Sequence, residues 1–314
     1  MKYPFLLFLL LLSQASLAQE NQSLWTVAWS HDDAYLAVGG SQGDLKLFDG
    51  KTFELIKTYP VEDVILSRLK WHPSQHKLAV ITQSTTYKAR ILDVDKNTWT
   101  ELEGLENSFR GLDWNHKGDL LAVTELEGEI SIFDSQGKRV SRFLADPKAV
   151  ADLDWHPKEN ILVAVGSRIG IYTQLGESLH IFPAREEEVF LLCVEWHPSG
   201  DFFATGDYGD LKDAKNKLIQ YWQIAGEKLL EIRGSKGEYR NIRWSPDGNR
   251  LASACDALRI WDTKGKLVLQ TESSEDYLWG IDWNNDGSKI VTSSSQGVIS
   301  VFDQEGKLIR TLEY

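Results

Sequence analysis

The chain has 314 residues, 42% of them hydrophobic and 12 of them Trp, with a formal charge of −12 at pH 7. The apolar content is that of a globular core, and the negative balance disfavours nucleic acid and anionic membrane surfaces as partners. Two cysteines, Cys193 and Cys255, show neither Cys-x-x-Cys nor zinc-type spacing, which leaves two buried thiols or one disulfide as the open readings.

In chain order, the first element is MKYPFLLFLLLLSQASLA, with one Lys before the apolar run 5–12 and the small-x-small ending Ser16-Leu17-Ala18. This order predicts a secretory signal peptide cleaved after Ala18, so the protein is expected to be exported, periplasmic or secreted. The run is far shorter than the ~20 residues a membrane-spanning helix needs. Removing residues 1–18 takes away Lys2 and leaves a charge of −13.

Residues 19–314 carry an internal repeat. Trp29, Trp71, Trp114, Trp155, Trp196, Trp244 and Trp283 recur at intervals of 42, 43, 41, 41, 48 and 39 residues. Two residues before each Trp stands a branched aliphatic, Val27, Leu69, Leu112, Leu153, Val194, Ile242 or Ile281. After each Trp come a turn and an apolar run, as in WHPSQHKLAV and WSPDGNRLASA. A third run follows, ending in LKLFD, ARILD, ISIFD, GIYTQ, IQYWQ, LRIWD or ISVFD, and then a turn and a fourth run. Short runs bounded by Pro, Gly, Asp and Asn read as strands. Each unit is a four-stranded meander, and seven units make an all-β ring, with boundaries near 24–60, 61–104, 105–146, 147–185, 186–234, 235–274 and 275–314.

The segment WSPDGNRLASACDALRIWD, residues 244–262, contains the Trp261-Asp262 pair, and the other units keep Asp49, Asp93, Asp134 and Asp303 at the same place. On these motifs the chain resembles the WD-repeat family of seven-bladed β-propellers over residues 24–314. Two units depart from the pattern, with Thr173 and Gln223 in place of Asp, and the family's Gly-His pair is absent throughout. The resemblance therefore implies a ring held by apolar packing between blades rather than by the family's buried His–Asp network. The family closes its ring with a lent N-terminal strand. Here LIRTLEY already supplies the last fourth strand, so blades 7 and 1 are expected to close the ring face to face.

Several residues could carry chemistry. Glu195-Trp196-His197 and Asp154-Trp155-His156 place an acid and a His on one strand face, but Lys70-Trp71-His72 breaks the set, and turn punctuation is the favoured reading. Charged residues before the tryptophans suggest pairing of Lys70 with Asp113, and of Arg243 with Glu195 and Asp282. No metal or cofactor is expected; Asp113, Asp154 and Glu195 form the acidic arc that would offer a cation its site. Residues 206–217 read as a solvated loop whose Asp207, Asp210 and Asp213 do not fit an EF-hand. No nucleophile–base set and no phosphate-cradling loop is present, so no enzymatic activity is expected.

The resemblance places partner contacts four and six residues before each Trp. The candidates are Trp25, Ile65, Arg110, Phe190, Leu192, Arg240, Tyr277 and Trp279, with Ser108 among the less distinctive positions. Trp, Tyr and Arg are enriched in binding hot spots; packing of these aromatics beneath their own loops is the competing reading. Glu62, Asp63, Glu103, Glu106, Asp146, Glu186, Glu187, Glu188, Glu272, Glu275 and Asp276 crowd the same loops and suit a basic or amphipathic peptide. The expected function is a non-catalytic protein-interaction scaffold, monomeric and without membrane insertion. The alternative is a propeller that binds a metal or small ligand in its channel, either carrier-like or enzymatic as a hydrolase or lyase.

Overall fold

The computed structural model describes residues 22–61, 65–83, 88–105, 107, 110–185, 188–210 and 216–314. The segment 1–18, Ser108, Asp213 and the acids Glu62, Asp63, Glu106, Glu186 and Glu187 lie outside the described residues. Seven antiparallel sheets of four strands are arranged in a ring, each sheet following chain order from the axis outward. The innermost strands are Leu24–Trp29, Ile65–Trp71, Leu112–Trp114, Val150–Trp155, Val189–Trp196, Asn241–Trp244 and Leu278–Trp283, one in each of blades 1 to 7.

Burial follows from position in the blade. Inner strands are covered on both sides by neighbouring blades, so they read as nearly continuous apolar runs; Val150–Trp155 is buried at every residue. Outer strands are covered on fewer sides, and Leu55–Pro60 is exposed except at Tyr59. Apolar clusters bridge blades: Leu45, Leu47 and Tyr59 of blade 1 pack with Leu69, Leu78 and Leu92 of blade 2. The Asp that ends most third strands organises the next hairpin. Asp134 Oδ1 accepts from the amides of Gln136 and Lys138, and Asp262 and Asp303 repeat the arrangement.

The ring closes as expected. Val27, Val38 and Phe48 of blade 1 share a core with Val291, Val301 and Leu312 of blade 7. Ser293 Oγ donates to the Leu24 carbonyl at 3.2 Å, and Arg310 Nη1 donates to the Thr52 carbonyl at 2.8 Å. The Tyr314 hydroxyl donates to the Asp44 carbonyl beneath the Lys46 ammonium. Among the described residues no N-terminal strand joins Leu308–Glu313.

One expectation changes and one open choice closes. The stretch from residue 206 does not begin as a loop, because the second strand of blade 5 runs through Phe202–Asp210. Asp207 is buried, ion-paired with Arg185 at 2.5 Å, and accepts the amides of Gly209 and Leu218, so its carboxylate anchors the strand end. Cys193 and Cys255 are both buried and unbridged, which settles the choice in favour of free thiols.

Candidate functional site

The axial channel is divided into tiers. In the lower tier, the acids that precede the tryptophans serve as seams between blades. Asp113, Asp154, Glu195 and Asp282 each accept the backbone N–H of the next blade's Trp: Trp155, Trp196, Trp244 and Trp29, at 2.7–2.9 Å. Lys70 Nζ lies 3.1 Å from Asp113 and 3.7 Å from Asp154, and Arg243 lies between Glu195 and Asp282 at 3.9 and 3.7 Å. Burial pushes the Asp154 carboxyl well above the usual carboxylate range; Asp113 adds to the effect and Lys70 opposes it. Burial likewise pushes Glu195 up to about 7 against the pull of Arg243 and Lys70. A cavity of ≈360 Å³ reaches this tier from the turn face, lined by Lys70, Glu195, Arg243 and Asp282. The arc of Asp113, Asp154 and Glu195 does come together, but its oxygens are already committed to amides and cations.

The histidines after the tryptophans are also seams. His72 Nδ1 accepts the Ser74 amide, which leaves Nε2 as the protonated nitrogen, donating to the Gly118 carbonyl of the next blade at 2.9 Å. His156 and His197 repeat this with Gly200 and Gly248, and each His ring sits edge-on to the next blade's Trp. Gly118 has φ +72°, and a Cβ there would lie 2.2 Å from the His72 ring, so the turn requires glycine on two grounds. The turn punctuation is thus a blade-to-blade latch.

A plug closes the middle tier. Arg68 of blade 2 crosses the axis, pairs with Asp152 of blade 4 and donates to Asn241 Oδ1 of blade 6. Asn241 Nδ2 in turn donates to the Trp279 carbonyl. Arg68 and Asp152 are 5% and 1% exposed. All three stand three residues before the motif Trp, a position held by Gly111 and Gly280 in blades 3 and 7. The sequence signal was a set of polar residues at one frame position within otherwise apolar strands.

Above the plug lies the mouth framed by the inter-blade loops. Trp25 and Trp279 meet edge to face with ring centroids 4.6 Å apart, across the seam between blades 1 and 7. The Arg240 guanidinium lies 5.3 Å from the Trp279 ring centre and pairs with Glu238 at 2.6 Å. Tyr277 is 40% exposed beside them, and Ile65 is half-buried on blade 2. Arg110 makes no hydrogen bond or ion pair among the described residues. Burial, Arg240 and Arg68 push its pKa down to about 10, which still leaves it fully charged at neutral pH. Phe190 and Leu192, expected as contacts, are instead 6% and 2% exposed and pack with Ala149 and Ala151 beneath the surface. Blade 4 and Tyr208, on the second strand of their own blade, cover them. Among the expected rim acids, Glu103, Glu272 and Glu275 are exposed, Glu188 pairs with Lys148, and Asp146 is buried against Ser167.

Residues 13–49, 226–262 and 265–303 match the family described as WD domain, G-beta repeat, and residues 96–157 and 112–199 match the anaphase-promoting complex subunit 4 WD40 domain. The chain is similar to the WD repeat-containing protein slp1 of Schizosaccharomyces pombe, 26% identical over 77% of this chain and 50% of that protein. It is also similar to minichromosome loss protein 1 of the same yeast, 30% identical over 43% of this chain and 18% of that protein. The mouse intraflagellar transport protein 80 homolog is 21% identical over 61% of this chain and 25% of that protein. The matched part of these relatives is thus between about a fifth and a half of their length. No helix among the described residues is long and apolar enough to cross a membrane.

Proposed function

The chain belongs to the WD-repeat family, and from that premise we propose that it is a non-catalytic interaction platform of an exported compartment, receiving a protein or peptide segment at the mouth. The observation that carries this reading is Arg110, a cation without an ion partner among the described residues, close to Arg240, which itself caps the Trp279 ring of the Trp25–Trp279 pair above the Arg68 plug. Rigid aromatics with a desolvated arginine are the makings of a hot spot. The centre of the face is cationic, while the exposed Glu103, Glu272 and Glu275 keep the surrounding loops acidic. The segment that fits is amphipathic, with one acidic group at its centre and basic residues at its edges. Such platforms are common in the family, and the leader-like residues 1–18 support export. The channel-metal reading draws less support, because Asp113, Asp154 and Glu195 already hold backbone amides.

A photocrosslinking amino acid at position 277 tests the face, with position 144 on an outer strand as the comparison; Leu144 is 58% exposed. In the native compartment, position 277 should give a discrete protein adduct and position 144 none. Adducts from position 144 alone would move the binding surface to the ring's outer wall.

A further inference from the structure

On the opposite face, the hairpin turns of blades 1 and 2 bring His31, Asp32 and His76 together, with one potential ligand atom from each within 4.8 Å of the others. We propose that this cluster is a divalent-metal site selective for zinc-type cations, with Asp95 as its supporting carboxylate. His76 stands between two acids: Nε2 is 3.0 Å from Asp32 Oδ2, and Nδ1 is 3.0 Å from Asp95 Oδ1. A metal-binding imidazole usually has this arrangement, one nitrogen toward the ion and the other hydrogen-bonded to a carboxylate that fixes the ring. The 3.0 Å between Nε2 and Oδ2 is close to the spacing of two ligands that each sit ~2.0–2.1 Å from one zinc.

Asp32 is held in place for this role. Its Oδ1 accepts from the Ser30 hydroxyl at 2.8 Å and the Ala34 amide at 3.1 Å, which leaves Oδ2 facing the cluster. His31 supplies the independent observation: its Nδ1 is shielded from solvent and has no hydrogen-bond partner among the described residues. A buried polar nitrogen left unpaired costs free energy, and a metal would satisfy it. The His31 and His76 rings lie 5.5 Å apart, so small side-chain rotations bring both nitrogens onto one ion. Two imidazoles and a carboxylate favour zinc-like cations over calcium or magnesium, which take oxygen ligands. A cavity of ≈330 Å³ beside the cluster leaves room for water or an exogenous ligand in the remaining coordination positions. Because His31 and Asp32 belong to blade 1 and His76 and Asp95 to blade 2, the ion would clip these two blades together.

The test is calorimetric titration of zinc into the chelator-treated, untagged chain, with calcium in parallel and thermal unfolding as a second readout. One zinc per chain should bind and raise Tm, and calcium should not. His31→Ala and His76→Ala should each weaken zinc at least about tenfold, and Asp95→Asn by about tenfold. His180→Ala, on an exposed outer strand, should leave affinity unchanged. If an alanine variant fails to fold, Asp32→Asn reads the same site with an exposed, near-isosteric change. Absence of zinc binding in the wild type would overturn the proposal. So would binding that none of the four cluster substitutions weakens.

Discussion

Arg68 is the residue on which the channel's interior depends. It is nearly sealed from solvent, and its ion partner Asp152 more so. Taking two charges out of water is costly, and the pair holds because each compensates the other. Arg68→Met should therefore cost about 3–5 kcal/mol in urea unfolding, since Asp152 is left buried without its cation. Arg68→Met combined with Asp152→Leu should recover most of that loss. A single variant as stable as wild type would show that Asp152 is not held by Arg68. The plug was hard to read from the sequence, because residues 68, 152 and 241 are far apart in the chain and their shared frame position emerges only once the seven tryptophans are aligned. The pairing of Lys70 and Arg243 with their acids was legible for the opposite reason: these charges alternate along one register beside a motif residue.

At the scale of the element, inner strands and inter-blade loops have separate supports. The strands are joined by acid-to-amide seams and His-to-carbonyl latches, whereas the loop before blade 6 hangs on one buried ion pair. Arg259 grips Asp256 through two 2.9 Å contacts, and Asp256 Oδ1 also accepts from Ser235 and the Lys236 amide. That loop leads directly to Glu238 and Arg240 at the mouth. Burial tends to raise the Asp256 pKa, but Arg259 outweighs it and holds the carboxyl below its ordinary 3.8. A carboxylate depressed in the folded state stabilises the fold above about pH 3.8, and this contribution is lost as pH falls through the folded pKa. Asp256→Asn should be less stable than wild type at pH 7, and the difference in Tm should shrink as pH falls below about 3.8. An equal gap at pH 7 and pH 2.5 would contradict the assigned role. The sequence showed that these loops were acidic. It could not show which acids were paired, because the pairing depends on how one loop folds over the next strand.

For the whole molecule, closure rests on blade 7 packing against blade 1, and residues 307–314 complete the outer edge of blade 7. Deleting them exposes Ile299 and Val301 and removes Leu312 and Tyr314 from the shared core, so the entire ring should melt in one transition at lower temperature. Unchanged melting would mean that the seal lies elsewhere. Ring architecture was legible because each repeat carries its own periodicity; Trp, turn and apolar run recur whatever the partner. The face was only partly legible. Trp25, Arg240, Tyr277 and Trp279 lie at the mouth, but Phe190 and Leu192 occupy the same frame positions and are buried, because the small Ala149 and Ala151 of the preceding blade let them pack inward, and what the neighbouring blade presents differs around the ring. The most direct test of the platform is affinity purification from the native compartment with wild type and a folded Trp25→Ala/Tyr277→Ala/Trp279→Ala variant. A specific protein retained by wild type and lost from the variant is the predicted result. The same protein retained equally by both would contradict it.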